Sequence, residues 1–129
     1  MARNNKILLL EDEAVLGQIY SRHLEKAGFK VSWARDTNSA AALADKDDFD
    51  IAVLDQGIRD EAQSGLDLIP ILKKNHPKTV IAILSNFSDF QIEKKAIGAG
   101  ADAFWLKLNT PPPFLIQLVH ELLLKKNGE

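Results

Sequence analysis

Four short apolar runs, none with an interior charge, punctuate the chain: Ile7-Leu8-Leu9-Leu10, Ile51-Ala52-Val53-Leu54, Val80-Ile81-Ala82-Ile83-Leu84 and Ala103-Phe104-Trp105-Leu106. Each is too short for a helix and is bounded by polar or turn-forming residues. Runs of this kind read as strands buried on both faces of a parallel sheet, because a strand with one wet face alternates polar and apolar residues. A fifth segment, Lys30-Val31-Ser32-Trp33-Ala34, alternates more and suits an edge strand. Helical periodicity fills the intervals. Leu16, Ile19, Tyr20, Leu24 and Ala27 form one apolar stripe, stopped by Gly28. Asp36-Thr37-Asn38-Ser39 offers N-caps for an alanine-rich helix through Leu43 and Ala44. Leu66, Ile69 and Leu72 mark a third helix, closed before His76-Pro77, with Pro70 tolerated near its first turn. Ser88-Asp89 caps a fourth that runs to Gly98 or Gly100. Pro111-Pro112-Pro113 opens a fifth, whose apolar residues are Phe114, Leu115, Leu118, Val119, Leu122 and Leu123. The alternation βαβαβαβαβα demands a parallel sheet with helices on both faces and right-handed crossovers.

Length and composition narrow the function. A chain of 129 residues fits one domain, residues 1–129. Sixteen basic against 18 acidic residues leave a net charge of −2, which argues against a nucleic-acid or membrane footprint. With no cysteine, disulfide scaffolds, thiol catalysis and cysteine zinc sites are excluded, in keeping with a reducing compartment. The longest unbroken apolar runs are far shorter than the about 20 residues of a membrane span. The N-terminus leads into only four apolar residues, too few for a signal-peptide core.

In open α/β sheets the site lies beyond the carboxyl ends of the strands. Past the first strand come Glu11, Asp12 and Glu13; past the third, Asp55; past the fourth, Ser85 and Asn86; past the fifth, Lys107. If the first and third strands are neighbours, Glu11, Asp12 and Asp55 converge. Clustered carboxylates must protonate, pair with a cation or bind a metal. An all-oxygen site suits Mg²⁺, and a hard cation plus a lysine is what a transferring phosphoryl group needs. Asp55 then reads as a nucleophile that forms an aspartyl-phosphate. Each residue also has a plainer reading: Asp55 as a turn former, Glu11 to Glu13 as charge on a first helical turn, Ser85 as a loop hydroxyl, Lys107 as a surface lysine. Their coincidence at separate strand ends weighs against it.

These segments, in this order and spacing, resemble the receiver domains of two-component response regulators, the CheY-like family. The resemblance rests on Ile7 to Glu13, Ile51 to Asp55, Ala82 to Ser85 and Gly100 to Lys107, and covers Lys6 to Lys126. It implies a flavodoxin-type (βα)5 fold with a five-stranded parallel sheet of order 2-1-3-4-5. It implies that Glu11 and Asp12 help bind Mg²⁺, Asp12 the closer, and that Asp55 is the phosphoacceptor. Gly57 matches the position whose carbonyl ligates the metal, Ser85 the hydroxyl that meets the phosphoryl group, Lys107 the lysine that pairs with it, and Phe104 the aromatic switch. A sensor histidine kinase is then the donor, and a downstream protein or output domain the recipient of the signal. A face of the fourth helix, fifth strand and fifth helix would carry the output or a homodimer. Such a domain is cytoplasmic, accepts and slowly hydrolyses phosphate, and is not a dedicated enzyme.

Departures from the family pattern generate further expectations. Glu replaces the commoner Asp at position 11. The stretch from Gln56 to Gly65 is longer than the usual connection and lacks Met-Pro. Leu108 stands where a proline normally follows the lysine. A cis bond before a non-proline residue costs about 2.5–4 kcal/mol, so Lys107-Leu108 is expected trans. Phe at position 104 has no hydroxyl to hold it at the surface and is expected to lean inward. A binding-only pseudo-receiver is the alternative function; an aspartate-nucleophile phosphatase would want a carboxylate at Gly57, and a flavodoxin would not place acidic residues where a phosphate must bind. His23, His76 and His120 lack metal-ligand spacing. Trp33 and Trp105 read as core or sheet-edge packing. Asp45 to Asp50 reads as a solvated turn, and the paired lysines are too scattered for a basic patch.

Overall fold

A computed structural model of the chain describes residues 5–56, 65–86 and 88–126. Five strands and five helices alternate: β1 (Lys6–Leu10), α1 (Ala14–Lys26), β2 (Lys30–Ala34), α2 (Thr37–Lys46), β3 (Ile51–Gln56), α3 (Leu68–Asn75), β4 (Val80–Ser85), α4 (Phe90–Ala99), β5 (Ala103–Leu106) and α5 (Pro112–Lys126). Single 3-10 turns at Gly65–Asp67 and Lys107–Asn109 lead into α3 and follow β5. All strand pairs are parallel, and the order is β2-β1-β3-β4-β5. The chain steps outward from β1 to β2, then crosses back to β3. That reversal opens a crevice at the carboxyl ends of β1 and β3, the place where such sheets bind ligands.

The runs of β1, β3 and β4 are buried on both faces of the sheet, as continuous runs must be; that of β5 is not, because β5 is an edge strand and its four residues are only partly buried. Leu8, Leu10, Ala52, Leu54, Ile81 and Ile83 pack with Ala40, Ala44, Leu68, Ile69, Leu72 and Ala96 of α2, α3 and α4. Their neighbours in sequence, Ile7, Leu9, Ile51, Val53, Val80 and Leu84, pack with Tyr20, Leu24, Leu115, Val119 and Leu123 of α1 and α5. The period of two is the pleat itself, which sends successive side chains to opposite layers.

Three further sequence expectations need correction. Asp55 and Ser85 are not beyond their strands but within the ends of β3 and β4, in the ladder, where Asp55 stands opposite Leu84 and Ser85 opposite Gln56 and Leu106. On α1, the inward face is Gly17, Tyr20 and Leu24, and Ile19 is exposed. Gly17 lies against Trp33, whose indole occupies the place a side chain there would take: a Cβ would come within 2.2 Å of the ring. The acidic stretch after α2 is not simply solvated. Lys6 binds Asp47 through Nζ at 2.8 Å, the Lys6 N–H donates to Asp50 at 2.7 Å, and His76 Nδ1 lies 3.0 Å from Asp48.

Helix starts follow the expected chemistry. Asp36 Oδ1 accepts from the Ser39 N–H at 2.7 Å at the head of α2. Asp89 Oδ1 accepts from Gln91 at 2.9 Å and Ile92 at 3.3 Å at the head of α4. Glu13, before α1, makes no such side-chain bond. Asp36→Ala and Asp89→Ala should therefore each cost about 1 kcal/mol in urea denaturation, and Glu13→Ala less than about 0.5 kcal/mol.

Candidate functional site

Glu11 is the first residue past β1, and its side chain is fully buried. Its Oε2 accepts from the Glu13 N–H at 3.1 Å, and its Oε1 lies 2.8 Å from Lys107 Nζ. The same ammonium lies 3.0 Å from Asp55 Oδ1. Asp12 is exposed at the rim, and one carboxylate oxygen from each of Glu11, Asp12 and Asp55 falls within 4.8 Å of the others. The β1–β3 register explains this meeting: Leu10 stands opposite Leu54, so the next residue of each strand is level with the other's.

Lys107 reaches inward although a leucine follows it. There is no cis peptide bond among the described residues, so Lys107-Leu108 is trans as expected, and the Leu108 side chain is 90% exposed. The turn is held from behind instead. The Thr110 N–H donates to the Lys107 carbonyl at 3.0 Å, Thr110 Oγ1 donates to the Leu106 carbonyl at 2.6 Å, and the buried Tyr20 hydroxyl donates to the Thr110 carbonyl at 3.1 Å. Ser85 is buried at the end of β4. Phe104 is half-buried on β5, packed against the layer of α2, α3 and α4. Gly57, the expected carbonyl ligand, and most of the long connection after Gln56 lie outside the described residues.

Three carboxylates around one ammonium leave an excess of negative charge in a partly dry cleft. Burial pushes the Asp55 carboxyl up, the Glu11 charge adds to this, and Lys107 opposes it; the result is about 7. Burial also raises Glu11, against the pull of Lys107. For Asp12 burial acts upward, but hydrogen bonds with Asp55 and Glu11 outweigh it and hold the carboxyl low. Burial acts downward on Lys107, and its contacts with Glu11 and Asp55 more than offset this. The donor set fits a hard divalent cation. Glu11 Oε1 and Asp55 Oδ1 are buried and meet the ammonium as ion pairs, outside hydrogen-bond geometry, so both keep unused acceptor capacity. Among the described residues, the clustered ligand atoms of Glu11, Asp12 and Asp55 are all carboxylate oxygens, the preference of Mg²⁺.

Sequence inspection missed the residues that hold this arrangement: Tyr20, Thr110, Trp33 and Arg35. Trp33 donates its indole N–H to the Glu11 carbonyl at 3.0 Å, and Arg35 donates to the Asp12 carbonyl at 2.9 Å. Each acts on a backbone carbonyl, which leaves no signature in residue types.

Fold and cleft together define a doubly wound α/β protein with an acidic, lysine-bearing site at its topological switch point. Residues 7–119 match the family model of the response regulator receiver domain, and the chain belongs to that family, the CheY-like receivers of two-component signalling. It is 28% identical over 127 residues to the cell cycle response regulator CtrA of Brucella ovis, covering 95% of this chain and 52% of CtrA. The chain spans about half the length or less of the curated relatives it matches. Its fold is similar to that of a CheY-like receiver domain protein from Methanospirillum hungatei, with a TM-score of 0.88, 21% identity and 98% of each chain covered. A response regulator from Burkholderia pseudomallei, described with a phosphorylated aspartic acid, calcium ion and citrate, is similar at a TM-score of 0.80 and 25% identity, over 93% of this chain and 66% of that one. Among the described residues, no helix is long and apolar enough to cross a membrane.

The raised Asp55 carboxyl sets the sign of a pH effect. The folded state holds this proton more tightly than the unfolded chain, so the associated stability is present below about pH 4 and is lost as pH rises through about 7. Asp55→Asn mimics the protonated form, and Glu11 still takes the Lys107 ammonium. In chelator, this variant should match the parent near pH 4 and exceed it by about 1–3 kcal/mol at pH 8, read from urea denaturation at the two pH values.

Proposed function

We propose that residues 1–129 form one receiver unit in which Asp55 accepts a phosphoryl group from a sensor histidine kinase in the cytoplasm. The observation that carries the reading is the single ammonium of Lys107 held at 3.0 Å from Asp55 and 2.8 Å from Glu11, beside three convergent carboxylates. Glu11, Asp12 and Asp55 would hold Mg²⁺, with the Gly57 carbonyl as a further ligand; the ion supplies charge neutralisation to the carboxylate and the incoming phosphoryl oxygens.

The chain's own residues do the rest. An Asp55 carboxylate oxygen forms the O–P bond as the donor's N–P bond breaks, and the departing imidazole takes up a proton. Lys107 orients Asp55 before transfer and meets a phosphoryl oxygen after it. Ser85 hydrogen-bonds the new group from the end of β4. Because Ile83 stands opposite Phe104 and Ser85 opposite Leu106, a shift of the β4 end is felt directly on β5. Phe104 then acts as the switch, and the face of α4, β5 and α5 carries the state to an output domain, a downstream protein or a second copy. That face presents exposed Phe90 and Ile97. The reading includes no direct contact with nucleic acid or membrane. The activity is phosphate acceptance with slow self-hydrolysis, not that of a dedicated enzyme. The phosphorylated aspartate and calcium ion in the Burkholderia pseudomallei relative support this chemistry for the shared fold.

Incubation with acetyl phosphate and Mg²⁺, followed by intact-mass measurement, tests the reading. One added phosphoryl group is expected on the parent, none on Asp55→Asn, and none in excess EDTA. No gain on the parent, together with retained folding, would leave a binding-only receiver in its place.

A further inference from the structure

Three consecutive residues at the end of β2 grip the backbone of the acidic turn. The Glu11 N–H donates to the Ala34 carbonyl at 3.0 Å. The Trp33 indole N–H donates to the Glu11 carbonyl at 3.0 Å. The Arg35 guanidinium donates to the Asp12 carbonyl through Nη2 at 2.9 Å and Nε at 3.3 Å. Both peptide carbonyls of the acidic pair are thus held by side chains of an edge strand that contributes no ligand of its own. Gly17 completes the device. It is buried on α1, and a Cβ there would lie 2.2 Å from Trp33 Cζ2 and 2.6 Å from Nε1, so only glycine leaves the indole room to reach Glu11.

From this geometry we infer that Trp33 and Arg35, with Gly17 beneath the indole, are positioning residues for divalent-cation binding by Glu11 and Asp12. The inference rests on the Mg²⁺ reading above. Three carboxylates whose oxygens lie within 4.8 Å repel one another, and the turn carrying two of them would open if nothing held it. Mg²⁺ demands near-ideal octahedral geometry at about 2.0–2.1 Å, so a small rotation of the turn is costly. Asp12 lies at the exposed rim, so the placement of its carboxylate follows from that of its backbone. Fixing both peptide planes lets the cation find its ligands aligned, the role that residues behind a metal's direct ligands commonly play.

The test is a Mg²⁺ titration of the whole chain followed by the ¹⁵N–¹H shifts of the Glu11, Asp12 and Glu13 amides. The Mg²⁺ dependence of acetyl phosphate labelling is measured in parallel. Trp33→Phe keeps a ring over Gly17 but loses the N–H; Arg35→Ala removes the guanidinium from an exposed position; Gly17→Ala displaces the indole while improving helix propensity. Each should raise the half-saturating Mg²⁺ concentration, by roughly tenfold for Trp33→Phe and Arg35→Ala. The labelling level at saturating Mg²⁺ should stay unchanged. A purely structural role would move the melting temperature, for Gly17→Ala downward through the clash with the indole, and leave the Mg²⁺ midpoint where it was. Unchanged midpoints in folded variants, with normal binding by the parent, overturn this inference alone. A parent whose shifts ignore Mg²⁺ overturns the metal reading, and the positioning role falls with it. Should Trp33→Phe fail to fold, Arg35→Ala decides the outcome.

Discussion

The Lys107 ammonium lies between two buried carboxylates, and the cleft depends on it. Removing one partner of such a buried pair costs about 3–5 kcal/mol, because the other charge is left uncompensated in a poorly solvated place. Here one cation serves Glu11 and Asp55 at once. The balance is therefore incomplete: burial raises the Asp55 carboxyl to about 7, and the Glu11 charge, which one ammonium shared among three carboxylates does not cancel, adds to this. A site in this condition is ready for further positive charge. Glu at position 11 reaches Lys107 at 2.8 Å from a backbone position one residue past β1.

The scaffold that permits this pairing was largely readable from residue order. The four charge-free runs specified parallel strands, three of them fully buried and the fourth, β5, a partly buried edge; the residues at their carboxyl ends, Glu11, Asp12, Asp55, Ser85 and Lys107, were found by asking what lies where such strands end. The strand order followed only from resemblance, because nothing in the runs themselves says which are neighbours. The outer layers were harder to read. Periodicity on α1 points Ile19 inward, yet Gly17 is buried there, against Trp33, a neighbour distant in sequence. The same holds for Tyr20, whose hydroxyl ends at Thr110, 90 residues away. Long-range bonds to backbone carbonyls have no sequence pattern, and that is where the supports of this site lie.

Leu108 shows how a fold replaces one device with another. A proline after the lysine would aim it through the backbone; here the bond is trans and the leucine points to solvent. The aim comes from the 3-10 turn at Lys107–Asn109 and from Thr110, which ties the Leu106 and Lys107 carbonyls and is itself held by Tyr20. Tyr20 belongs to α1, the helix that begins just after the acidic turn. The lysine turn is thus tied to the same helix into which the acidic turn leads.

That common reference has a mechanical consequence. On one side of the cleft, β2 grips the acidic turn and α1 steadies the lysine turn. On the other, Ser85 ends β4, and Phe104 sits on β5 at the margin of a core shared with α2, α3 and α4. A charge added at Asp55 meets fixed groups on the first side, whose hydrogen bonds would have to break for them to move. The second side offers the end of β4 and a half-buried ring at the margin of its layer, on an edge strand whose last residue is tied to Thr110. On the proposed reading, rigidity around Glu11, Asp12 and Lys107 would align the groups that bind a cation and a phosphoryl group, and would direct the response toward α4 and β5.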